Sequence, residues 1–132
     1  MNAIDTWAKQ LQSSDLASQI SAAESLARLA EEAQPAIVAL VQHCGSEDED
    51  LRNWCNAALE KIGSPVAEQI DELALLASSA SSDVAFWATT LLGRAGALAI
   101  EAASILSERS SDGSTPEVQR RAAWALKRIQ TA

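Results

Sequence analysis

His43, Cys44 and Cys55, with Glu47 and Asp48 between them, are the residues of this chain whose types suit a soft metal ion, since imidazole and thiolate are natural zinc ligands. Their spacing matches no finger or ribbon. Cys55 falls in a column of small apolar residues and Cys44 in one shared with Leu11 and Ala77, so both thiols are expected as buried fillers and no metal or cofactor is expected. The run Glu47, Asp48, Glu49, Asp50 has the charge of a cation-binding loop but not the alternating ligands and central glycine of an EF-hand; it reads as a solvated turn leading into a helix cap. Serines are numerous, yet no G-x-S-x-G is present and the lone His43 is the one weak candidate for a general base. The chain is expected not to be an enzyme.

Binding chemistry is better represented. Trp54 and Trp87 share one column of the sequence, at the flank of an apolar helix face. Two tryptophans in register suit a recognition ridge, but closure of the core edge over a neighbouring hairpin is the preferred reading, because the column holds Ser21 and Arg121 in the outer units. Trp124 lies in a column otherwise held by Glu24, Ala57 and Thr90, which predicts an exposed ring or one that covers an end of the array. With Arg120 and Arg121 it makes a cationic-aromatic patch, either a contact for an acidic partner or a cap on the last helix.

The elements that position these side chains follow from a repeat near 33 residues that superposes Leu26, Leu59, Leu92 and Leu126. In the same register run Ser18, Leu51, Val84 and Val118; then the small column Ala22, Cys55, Ala88 and Ala122; then Ser25, Ala58, Leu91 and Ala125; then Leu29, Ile62, Ala95 and Ile129. These columns share one face of a helix turning 100° per residue. Second helices show their own columns: Ala33, Val66, Ala99; Ile37, Ile70, Ala103; Leu40, Leu73, Leu106. Projected backwards, they reach Ile4 and Trp7. The prediction is a leading half-unit over 2–12, helical hairpins near 15–44, 49–79 and 82–109, and a final half-unit over 115–130. Within them helices are expected near 15–31, 34–44, 49–62, 65–79, 82–95, 97–109 and 115–130. Asp50 and Asp83 are placed as N-caps, Gly63 and Gly96 as helix stops, and Pro35 and Pro65 in the first turns of second helices. GSEDED at 45–50, SSDGST at 110–115 and the serine-rich 77–83 read as turns, giving one domain.

Composition supports an all-α chain. Four Trp, one Phe and no Tyr among 132 residues leave the core to aliphatic and small side chains that favour close helix packing. The net charge of −8 opposes nucleic-acid binding unless positive charge is gathered on one face. It gathers only at 117–132, where Arg120, Arg121, Lys127 and Arg128 against Glu117 give +3 and leave −11 for the rest. Two cysteines are too few for a disulfide framework, the N-terminal residues have no signal or transit pattern, and no apolar run approaches the roughly 20 residues of a membrane span. A soluble, cytoplasmic protein is expected.

DLRNWCNAALEKIGSP at 50–65, DVAFWATTLLGRAG at 83–96 and PEVQRRAAWALKRI at 116–129 resemble the HEAT-like repeats of the short, phycobilisome-lyase type. Residues 50–63 and 117–129 match that pattern best, and 17–30 match only in the apolar columns. The resemblance implies a right-handed α-solenoid of antiparallel hairpins that acts as a scaffold for other proteins. The His-Glu pairs of the HEAT-like di-iron enzymes are missing, and the acidic body contradicts the basic groove of HEAT-like DNA glycosylases. Kinship also admits an accessory of bilin lyases, although no residue marks a pigment site.

The leading expectation is a non-catalytic protein-interaction module whose recognition surface is the exposed side of the second helices. Gln34, Val38, Glu68, Asp71, Glu72, Glu101 and Ser104 face away from the apolar columns there, and their acidity implies a protein or peptide with a basic patch. An alternative is weak end-to-end homo-assembly of a chain otherwise monomeric, with the basic tip against an acidic neighbour.

Overall fold

The computed structural model describes residues 3–111 and 115–131; residues 112–114 of the expected turn over 110–115, and residue 2 of the leading half-unit, lie outside them. Among the described residues eight α-helices run in order: α1 (Ala3–Leu11), α2 (Leu16–Leu29), α3 (Ile37–His43), α4 (Glu49–Ile62), α5 (Ile70–Leu76), α6 (Ser82–Ala95), α7 (Ala103–Ser111) and α8 (Pro116–Thr131). No strand occurs among the described residues. The chain gathers into two compact units, residues 1–63 and 64–132.

The first helices of the repeat are α2, α4, α6 and α8, and their starts share one device. Asp15 and Asp48 accept hydrogen bonds from the backbone N–H groups of Ser18 (3.1 Å) and Leu51 (2.9 Å). Ser81 and Thr115 do so from Val84 and Val118, both at 3.4 Å. Each side chain thereby satisfies one of the amides that a helix start leaves without a partner. The caps are thus Asp48 and Ser81, two residues before the expected Asp50 and Asp83, which lie inside the first turn. The reason is reach, because a short oxygen-bearing side chain outside the helix meets the N–H three residues on. Arg52 ties the acidic turn back onto this start by donating to the carbonyls of Ser46 (2.9 Å) and Glu47 (3.1 Å).

The same helices stop in register. Gly63 and Gly96 have φ of 90° and 59°, and Ala30, the equivalent residue of the preceding repeat, is forced to φ 53°. Second helices then begin with 3-10 turns, over Ala30–Ala36, Ala67–Gln69 and Gly96–Ala102, before α3, α5 and α7. The expected starts at 34, 65 and 97 were therefore early in α-helical terms. Pro35 sits inside a 3-10 stretch, and Pro65 precedes one.

Burial follows the columns. The small column is fully enclosed: Ala22, Cys55, Ala88 and Ala122 all have 0% exposure. Leu26, Leu59 and Leu92 are equally buried, whereas Leu126 is half-buried. In unit 1, α1, α2, α3 and α4 close on Leu11, Leu26, Ile37, Leu40 and Leu59. In unit 2, α5, α6, α7 and α8 close on Leu73, Leu91, Leu92, Leu106 and Ile129. One expected core position fails. Val66 is 42% exposed, because its repeat has a 3-10 segment of three residues where the others have seven, and the chain reaches it in extended form, with buried Pro65 on the inside.

Ser82–Ser110 is long enough and, at a mean hydropathy of 1.2 in its most apolar stretch, apolar enough to cross a bilayer, an exception to the expectation that no run approaches that length. The backbone turns within it, at Gly96 and again at Ala99 (φ −98°, ψ 18°), and Leu91, Leu92, Ala99 and Leu106 are spent on the core of unit 2.

Candidate protein-interaction surface

Two surfaces of unit 2 carry recognition chemistry. The first lies where α8 packs on α6. Gly93 permits that approach: a methyl group there would sit 2.5 Å from Trp124 Cζ3 and 3.0 Å from the Ala125 Cα. Trp124 is half-buried against this bare stretch of α6 and is neither free in solvent nor idle. Arg121 lies over its ring at 4.7 Å and also over the Phe86 ring at 5.0 Å, while Arg128 lies over Trp124 at 5.2 Å. Phe86, Arg121, Trp124 and Arg128 thus form a continuous cation–aromatic stack. Arg128 Nε donates to the Gly93 carbonyl at 3.1 Å, placing positive charge at the negative end of α6.

This stack walls a surface cleft of about 310 Å³ lined by Phe86, Glu117, Arg120, Arg121 and Trp124. A smaller recess of about 210 Å³, lined by Ser82, Asp83, Phe86, Thr115, Glu117 and Val118, shares Phe86 and Glu117 with it. Arg120 is exposed and Arg121 half-buried. Phe86 was not among the candidates, although an aromatic residue off the apolar columns, next to Trp87, was a signal available in the sequence.

The second surface is the outer side of the second helices. Glu68, Asp71, Glu72, Glu101 and Ser104 are exposed, while Gln34 and Val38, on the corresponding side in unit 1, are half-buried. Among the acidic residues of unit 2 stand aliphatic side chains the column pattern did not single out: Leu75 at 75% exposure, Leu98 at 59% and Ile100 at 53%. Leu75 follows Asp71 by four residues and so shares its helix face.

The remaining candidates are packed. Trp87 is 9% exposed, meets Phe86 edge to face at 5.9 Å and carries Arg94 at 5.6 Å over its ring; Trp54 is half-buried. Cys44 and Cys55 are buried, the Cys44 thiol donates to Asn56 Oδ1 at 3.5 Å, and burial pushes the Cys55 thiol up to about 12. Burial also holds the His43 imidazole below its usual range. No three metal-ligating side chains converge among the described residues.

No family model matches the chain, and no curated protein matches it. Solved structures do. An engineered protein matches with a TM-score of 0.62 at 27% identity, over 98% of this chain and 63% of that one. A second engineered protein matches with a TM-score of 0.61 at 26% identity, over 96% of this chain and 37% of that one. A designed armadillo repeat protein, solved in complex with the peptide (KR)4, matches with a TM-score of 0.58 at 23% identity, over 94% of this chain and 63% of that one. The chain spans less than two thirds of the length of each. The fold is therefore an all-α helical-repeat fold similar to that of these designed repeat proteins, consistent with a solenoid of HEAT-like repeats.

Proposed function

We propose that this chain is a non-catalytic protein-interaction module that holds a basic, partly apolar segment of a partner protein on the outer side of its second helices. The observation that carries this reading is the mixture on that side of unit 2, where Glu68, Asp71, Glu72 and Glu101 are exposed among exposed Leu75, Leu98 and Ile100. Carboxylates attract and orient a cationic segment, and the aliphatic groups contribute apolar burial on contact. A solenoid offers such a face as a continuous surface. The designed armadillo protein of similar fold was solved with a peptide of alternating Lys and Arg, which supports a basic ligand for a fold of this kind.

The test is fluorescence anisotropy with a labelled octapeptide of alternating Lys and Leu. Binding should weaken as salt rises, and the variant E68Q/D71N/E72Q/E101Q should lose affinity by about tenfold, on the order of 1.4 kcal/mol. Leu75→Ser should weaken binding without changing its salt dependence. Equal binding by wild type and the four-fold variant would overturn the reading.

A further inference from the structure

We infer that the cleft between α6 and α8 is a second, separate binding site, for an acidic and partly apolar segment of a partner protein. Arg121 is held between the Phe86 and Trp124 rings. Contact with the two rings holds the guanidinium in place, and its N–H donors match a carboxylate as a fork. Because the rings already fix this side chain, less rotamer freedom is lost on binding. Arg120, next in the chain and exposed, makes no ion pair among the described residues and adds a second guanidinium to the same cleft.

The shape argues for a chain segment over a compact anion. The cleft adjoins a second recess with which it shares Phe86 and Glu117, and the exposed parts of Phe86 and Trp124 suit an apolar side chain beside the carboxylates. Glu117, where the two recesses meet, can accept backbone N–H groups of an extended peptide. That carboxylate, together with the net charge of −8, opposes the dense phosphates of a nucleic acid. A short acidic segment needs only the local positive charge.

The experiment titrates the whole chain with a labelled octapeptide of alternating Glu and Leu. Alternating Glu and Ser, alternating Lys and Leu, and a single-stranded oligothymidine of equal length serve as comparisons, and solution mass is followed in parallel. The Glu-Leu peptide should bind, and Arg120→Glu should weaken it at least about tenfold with an unchanged melting temperature, as the side chain is exposed. Arg121→Lys keeps the charge but loses the planar fork, and should weaken it about threefold to tenfold. Neither change should alter binding of the Lys-Leu peptide, so failure here is distinguishable from failure of the acidic surface. Several results would each overturn the inference: no binding of the Glu-Leu peptide, equal binding by folded Arg120→Glu, tighter binding of oligothymidine, or occupation of the cleft by a second copy, seen as a mass that doubles with concentration and falls in Arg120→Glu.

Discussion

At the scale of single residues, backbone conformation and close approach set the sharpest constraints. Ala30 carries φ 53° and ψ −121°, where a Cβ is costly, while the equivalent Gly63 and Gly96 pay no such penalty. Ala30→Gly should therefore raise stability by about 1 kcal/mol, the relief of strain exceeding the added chain entropy of glycine, measured as a shift in urea midpoint. Gly63→Ala should lower it by a similar amount for backbone reasons alone, as nothing lies within 4 Å of the added methyl. Gly93→Ala is different. Its methyl meets Trp124 and the Ala125 backbone at 2.5 and 3.0 Å, so overpacking should cost about 1–3 kcal/mol and shift the Trp fluorescence as the ring is displaced.

At the scale of the element, the caps decide where the first helices begin. Asp48→Ala should cost about 1 kcal/mol and Asp50→Asn close to nothing, because only Asp48 accepts the Leu51 amide; equal losses in denaturant melts would return the cap to Asp50. The helical faces were legible in the sequence, since period 3.6 and a 33-residue repeat fix which residues turn inward. The caps were legible only to within two residues: Asp48 and Asp50 both have the right chemistry, and only geometry selects between them. The 3-10 entries to α3, α5 and α7 left no mark in the apolar pattern, because a 3-10 turn and an α turn place successive apolar residues almost alike over one turn. Hence Val66 was expected inside and lies outside.

At the scale of the whole molecule, titration sets the pH range of stability. His43 is held below its usual pKa by burial, so the unfolded chain protonates first and stability falls as pH drops below about 6.5. Asp15 is held down by hydrogen bonds from the Ser18 hydroxyl and backbone N–H, and that contribution is present above about 3.9 and lost as pH falls through its lower folded pKa. The Cys55 thiol is raised to about 12; the unfolded thiol ionises from about 8.5, so stability declines from there upward. Urea midpoints should thus be flat between about pH 6.5 and 8.5 and fall on both sides. His43→Gln should flatten the slope just below pH 6.5. A slope unchanged by that substitution would assign it to other groups. Neither cysteine should react with a thiol reagent until the protein unfolds, because both are buried.

The sequence alone determined the helical class, the repeat, the buried columns and the concentration of positive charge at 117–132, because each depends on spacing along one chain. It also placed acidic residues on the outer side of the second helices. Only tertiary structure decided that Arg121 stacks between Phe86 and Trp124, that Gly93 makes room for that tryptophan, and that Leu75, Leu98 and Ile100 stand exposed among carboxylates. Those outcomes depend on which faces of separate helices meet, and a residue's own register does not specify the surface packed against it.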